Sequence, residues 1–195
     1  MEIPQLPIEV QGVPVEVEKD EGIREDTSPE KMAKLPPVFQ KDGVLTAGNS
    51  SQLSDGAAAL VVASARKARE LGIKPLARII DYATGGTKPE DIMEAPIPAV
   101  KRLLGETGFT INDMDLIEYN EPYDSASIVV SRELEIDPQK LNVNGGAIAM
   151  GHPIGCSGAR ILVIRVHALK ERGLKRGLAT LCVGGGNALA MNREK

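Results

Sequence analysis

Residues 142–160, NVNGGAIAMGHPIGCSGAR, constrain the fold of this chain more than any other stretch. Glycines at positions 145, 146, 151 and 155 allow positive φ angles and let the backbone approach a ligand with no Cβ in the way. The apolar residues before the turn read as a short strand. Those after it read as a helix starting near Gly158, with Ser157 as its N-cap. His152 stands in the middle of the turn, held on one side by Pro153. Taken alone, the stretch is equally consistent with a purely structural strand-to-helix turn.

The rest of the chain points to the α/β class. A length of 195 residues suits one domain with a single core. The composition is 42% hydrophobic with three Tyr, two Phe and no Trp, so that core is aliphatic, as layered α/β proteins require. A net charge of −4 provides no basic stripe to replace phosphate counterions, which excludes a nucleic-acid binder. Cys156 and Cys182 have no CxxC spacing and follow no signal peptide, which points to a reducing, cytoplasmic setting rather than a disulfide scaffold or zinc site. The longest apolar run is too short to span a membrane. No metal or prosthetic group is implied.

In chain order, residues 1–26 read as a proline-punctuated lead-in, with alternation at 13–19 that suits a half-exposed strand. Residues 27–195 read as the domain proper. A short helix near 29–35 ends at Pro36 and Pro37. The apolar run 57–63 has no alternation, the pattern of a strand buried on both faces. Ser64 caps a helix that Gly72 stops, and a second strand is expected over 75–82, giving β-α-β. After a loop over 83–98 comes a helix with Val100, Leu103 and Leu104 on one face, ending at Gly108. A strand follows at 114–119 and a helix at 125–135 with Ala126, Val129, Val130 and Leu134 on one side. The helix from Gly158 to Lys170 is apolar nearly all round, as expected of one lying between layers. Two apolar strands flank a glycine hinge at residues 184–186.

Three stretches carry polar residues to strand ends or glycine turns: Asn120 to Tyr123, Gly151 to Pro153, and Cys182 to Gly186. In open α/β sheets ligands bind beyond the carboxyl ends of strands, where such turns converge. Each also has a plain structural reading. Cys182 on an apolar strand packs well as a small hydrophobe, and Asn120 and Glu121 are good turn residues. Cys156 and His167 read as packing and rim residues.

The segments TAGNSSQLSDGAAAL, NVNGGAIAMGHPIGCSGARI and LATLCVGGGNALAM, in this order, resemble the C-terminal half of a thiolase, the family that makes or cleaves 3-ketoacyl-CoA. The resemblance runs from about Glu16 onward. It implies a βαβαβαββ domain with a mixed sheet and helices on both faces, one half of an α-β-α-β-α layered molecule. It also implies roles. His152 would activate a nucleophilic cysteine and, with a water held by Asn120, stabilise a thioester enolate oxygen. Cys182 would move the proton at the α-carbon, and the Gly184 N–H would donate into a second oxyanion hole. Thiols act as bases through their thiolates, and backbone N–H groups freed by glycine turns are preorganised donors. Glu121 would support the network around the histidine. Ser51 falls at a position that contacts the pantetheine of coenzyme A, Arg24 at a basic position near its nucleotide end, and Tyr123 in the wall beside the acyl group. Coenzyme A enters as substrate or product, not as a resident cofactor.

Departures from the family pattern also carry information. The usual Asn-Glu-Ala-Phe reads Asn120-Glu121-Pro122-Tyr123, Gln52 stands where glycine usually follows the serine, and Lys31 occupies a position where some relatives carry serine. Neither Cys156 nor Cys182 stands in the family's nucleophile position. The resemblance therefore implies one subunit of a heteromeric thiolase, completed by a partner chain carrying the nucleophilic cysteine. The alternatives are a non-catalytic scaffold or CoA-binding subunit that retains the fold, and a cysteine hydrolase pairing Cys182 with His152.

Overall fold

The computed structural model describes residues 7–16 and 22–194, in two compact units, Met1–Leu35 and Pro36–Lys195. In the first unit, β1 (Pro7–Val10) and β2 (Val13–Glu16) form an antiparallel hairpin. Its two-residue turn places Gln11 and Gly12 at φ 52° and 80°, the backbone that matches the twist of paired strands. The expected strand at 13–19 is thus present to Glu16, and residues 17–19 lie outside the described residues. Helix α1 (Pro29–Met32) starts with proline in its first turn and is capped by Ser28, whose side chain accepts from the Lys31 N–H at 3.3 Å.

In the second unit, α2 (Ala65–Glu70) is capped by Ser64, which accepts from the Lys67 N–H at 3.1 Å, and the chain turns at Gly72 with φ 64°. The other elements are β3 (Arg78–Gly86), α3 (Pro96–Thr107), β4 (Leu116–Tyr119), α4 (Asp124–Glu133), α5 (Ala147–Met150), α6 (Ser157–Glu171), β5 (Arg176–Val183) and β6 (Asn187–Glu194). Four strands form one mixed sheet in the order β3-β6-β5-β4, in which β4 runs parallel to β5 and the other pairs are antiparallel. The α/β class and the mixed sheet are as expected.

Alternation along the strands sends side chains to two faces. On one face Ile117 and Tyr119 of β4, Leu178 of β5 and Ala188 and Ala190 of β6 pack with Val100 and Leu103 of α3 and Val130 of α4. Full burial of a side chain such as Leu103 stabilises by roughly 1.5–3 kcal/mol. The opposite face is covered by α6, where Ala168 and Leu169 meet Leu116. Glu118 alternates with Ile117 and Tyr119, so it lies on the α6 face beside the buried Arg165, whose Nη1 donates to the Gly177 and Met191 carbonyls at 3.0 and 2.7 Å.

Three local expectations differ from the structure. Residues 57–63 form no regular element and pair with no strand among the described residues, and they are exposed, Val61 completely so at 100%. The continuous apolar pattern describes a strand made for burial on both faces, and no sheet edge among the described residues reaches it. Ala147–Met150 is a single helical turn, not a strand; four apolar residues are too few for periodicity to separate the two. Helix α6 begins one residue early, at Ser157 itself, with Cys156 at the cap position and no capping side chain. The Ser157 hydroxyl is engaged elsewhere.

Candidate active site

The site is built where β4 and β5 end beside the turn leading into α6. One further ladder bond, from the Asn120 N–H to the Thr180 carbonyl at 3.1 Å, extends the β4–β5 pairing and holds Asn120 in line with the sheet. Asn120 is 1% exposed, and its carbonyl accepts from the Ala147 N–H at 2.9 Å, which pins α5 to the strand end. Glu121 then takes φ 62°, unusual for a side chain of its size, and turns the chain toward α4. Its carboxylate packs against Gly146, where an added Cβ would have no room.

His152 follows Gly151, whose φ of 85° and contact with Ser54 both exclude a side chain. The His152 N–H donates to the Gln52 carbonyl at 3.0 Å and forms a parallel bridge with Leu53, so the loop at 50–53 runs alongside the histidine turn. That loop is itself anchored. Asn49 Nδ2 donates to Asp124 Oδ2 at 2.9 Å, and the Ser51 N–H donates to the Pro122 carbonyl at 2.9 Å. Serine 51 is thereby placed by α4 and the residues that precede it.

Both ring nitrogens of His152 are engaged. Nε2 lies 3.2 Å from Asn120 Nδ2, and Nδ1 lies 2.7 Å from the Ser157 hydroxyl, which also donates to the Pro153 carbonyl at 3.0 Å. Arg160, one turn further along α6, donates from Nη2 to Asn120 Oδ1 at 2.8 Å. Burial, and after it the Arg160 guanidinium, hold His152 below the usual imidazole pKa, so the ring is neutral at neutral pH. From sequence Ser157 read only as a helix cap, and Arg160 was assigned no role. Their spacing of three at the start of a helix places them on one face, which is the signal that links them to the histidine.

A cavity of about 560 Å³ is lined by Ser51, Tyr123, His152, Cys182 and Gly184, so five of the seven residues singled out from sequence converge on one space. A sixth, Asn120, stands behind His152. The seventh, Arg24, is exposed in the first unit. A second cavity of about 610 Å³ lies between the run at 53–58 and the turn at 152–156. Burial pushes the Cys182 thiol above its ordinary pKa, so it carries its proton at neutral pH. Cys182 makes no hydrogen bond to His152 among the described residues, which does not favour a Cys182–His152 hydrolase pair. Gly184 opens the tight turn between β5 and β6, exposed and with nothing within 4 Å of where a Cβ would stand. Tyr123 precedes α4 and packs edge-on against Phe39, with ring centroids 5.7 Å apart. Cys156 is buried and His167 exposed, as packing and rim residues should be.

A half-buried, neutral histidine, a protonated cysteine and an unobstructed backbone donor around one cavity suit proton transfer next to a carbonyl whose oxygen gains charge.

Comparison with known proteins adds the family. Residues 73–195 match the family model for the thiolase C-terminal domain, and residues 2–66 match that for the thiolase N-terminal domain. The 57–63 run therefore falls within the stretch that resembles the N-terminal domain. Acetyl-CoA acetyltransferase of Chromobacterium violaceum is 47% identical over 193 residues, covering 99% of this chain and 49% of the relative. That of Syntrophomonas wolfei is 50% identical over 190 residues, covering 95% and 48%. Among solved structures, the Bacillus anthracis acetyl-CoA acetyltransferase superposes with a TM-score of 0.93 at 45% identity, over 98% of this chain and 49% of that one. Human mitochondrial 3-ketoacyl-CoA thiolase in complex with CoA superposes at 0.85 with 42% identity, over 97% and 47%. The chain thus spans about half the length of the relatives it matches.

Proposed function

This chain belongs to the thiolase family, and from that premise we propose that it supplies one side of a thiolase active site for reversible Claisen condensation and thiolytic cleavage of a 3-ketoacyl-CoA. A partner chain carries the nucleophilic cysteine. The observation that carries the reading is the single cavity shared by His152, Cys182 and Gly184, with Asn120 bonded to the back of the histidine.

In the cleavage direction, the partner's thiolate attacks the 3-keto carbonyl. The bond between C2 and C3 breaks, leaving an acyl thioester on the partner cysteine and the enolate of acetyl-CoA. Cys182 gives its proton to the enolate carbon, and the raised pKa of its thiol keeps that proton available. His152 takes the proton of the incoming nucleophilic thiol, a role that its neutral ring suits. The Gly184 N–H faces a carbonyl oxygen as charge builds on it. Coenzyme A then takes the acyl group as the second substrate. Ser51 and Tyr123, which line that cavity, receive the pantetheine and acyl groups. Tyr123 and the rigid Pro122 beside it reshape the acyl wall and set chain-length preference.

The exposed apolar run at 57–63 supports the need for a partner. A stretch containing Leu60 at 41%, Val61 at 100% and Val62 at 74% exposure has a strand's composition and no sheet to join among the described residues. The test is thiolysis of a short 3-ketoacyl-CoA by the 195-residue chain alone and mixed with a thiolase N-terminal polypeptide that bears the nucleophile. No turnover alone, turnover in the mixture, and its loss with Cys182→Ala are expected. Turnover by the single chain, or none in a mixture that forms a folded complex, would overturn the proposal.

A further inference from the structure

The hydrogen bonds around His152 form a chain in which each donor has one acceptor, and the chain starts at a group that cannot accept. Arg160 Nη2 lies 2.8 Å from the Asn120 side chain, and a guanidinium only donates, so the Asn120 atom facing it is the carbonyl oxygen. The other end of the amide is then the NH₂ group, which faces His152 Nε2 at 3.2 Å. Two donors cannot face each other there. Nε2 must accept, so the ring proton resides on Nδ1 and is donated to Ser157 Oγ at 2.7 Å. The serine hydrogen goes on to the Pro153 carbonyl at 3.0 Å. The opposite tautomer would set Nε2–H against an amide N–H and ask one serine hydrogen to serve both Nδ1 and Pro153.

We infer that Arg160 is a positioning residue: by fixing which way the Asn120 amide points, it sets His152 in the Nδ1–H tautomer, with Nε2 as the unprotonated nitrogen that takes a proton once the Asn120 N–H gives way to the incoming thiol. Arg160 also feels the charge of Glu118 on β4, although no hydrogen bond joins the two among the described residues. Glu118 and Asn120 are two residues apart and so share the α6 face, and the carboxylate attracts the guanidinium from beneath. The bond to Asn120 is the side-chain hydrogen bond that Arg160 makes among the described residues, while its Nε and Nη1 are buried with no partner there. A base in a general base mechanism needs its lone pair, not its proton, toward the group it deprotonates. The assignment deepens the proposed function but rests on hydrogen-bond geometry alone.

The sequence contains only two histidines, so ¹⁵N-detected NMR of the intact chain resolves His152, with His167→Gln assigning the other. A pyrrole-type Nδ1 and a pyridine-type Nε2 are expected at neutral pH. Arg160→Met frees the amide to rotate and should lower the ratio of the two tautomers by about tenfold, the effect of one charge-assisted hydrogen bond. Arg160→Lys keeps a donor to Asn120 Oδ1 and should restore most of the original ratio. Asn120→Asp keeps the side-chain shape and Arg160's acceptor but removes the N–H, so Nε2 should become protonated even if Arg160→Met fails to fold. Nε2–H as the main form in the unsubstituted chain, or a pyridine-type Nε2 surviving in Asn120→Asp, would overturn the inference. An unchanged ratio in a natively folded Arg160→Met would do the same. In a complemented enzyme, Arg160→Met should lower kcat several-fold with KM held, and Arg160→Lys should recover most of it. If the NMR result stands while no turnover appears in any mixture, the proposed function fails and the positioning role does not.

Discussion

Glu118 is the residue whose ionisation most affects this molecule. Buried on β4, its carboxyl is raised from 4.5 to about 7, chiefly by burial and partly offset by Arg160 and then Arg165. The folded state therefore holds the proton more tightly than the unfolded chain does. The stability this provides is complete below a pH of about 4.5 and is lost as the pH rises through about 7, a span of about 3 kcal/mol at most. Glu118→Gln should flatten that dependence. In urea titrations it should raise the midpoint at about pH 8 and leave it nearly unchanged at about pH 4. An unaltered slope between those two conditions would rule out Glu118 as its source. At this scale His152, Cys182 and Gly184 were legible in the sequence, because glycine turns and strand ends announce polar residues that are free of regular pairing. Ser157 and Arg160 were not. Their importance lies in what they touch, and a serine beside a helix start reads as a cap unless the position of the histidine ring is known.

Among the elements, α3 approaches the sheet most closely. It comes so near to β3 that a Cβ on Gly85 would fall within 3 Å of the Ala99 backbone. Gly85→Ala should therefore push helix and strand apart and destabilise by about 1–3 kcal/mol, seen as a lower melting temperature and urea midpoint. Gly105, on the same helix with nothing within 4 Å, serves as the control, since alanine there should stabilise slightly. Most elements could be read from the sequence, because Ser64, Gly72 and Gly108 mark helix ends by chemistry that operates locally. The reading failed where local pattern carries too little information. AIAM is four residues long, and the 57–63 run has a strand's composition but no strand beside it among the described residues.

For the whole molecule, the consequence of that run can be tested without knowing the partner. Val61 is entirely exposed, so Val61→Asp should change the stability of the chain by less than about 0.5 kcal/mol. The same change should weaken association with a complementing N-terminal polypeptide at least about tenfold, because it would place a charge in the middle of a sheet. Titration calorimetry of both chains measures the second effect and thermal melting the first. Equal affinity for both would place the partner elsewhere. The strand order β3-β6-β5-β4 has a further consequence, for the order of events during synthesis. The two outer strands are made first and have nothing to bind until the inner pair arrives: Arg78 meets Glu194 across more than half of the chain. A ribosome translating this protein holds an unfinished sheet until residue 194 has left the exit tunnel. Until then, the nascent chain leaves aliphatic surface and strand edges unpaired, the condition that favours aggregation.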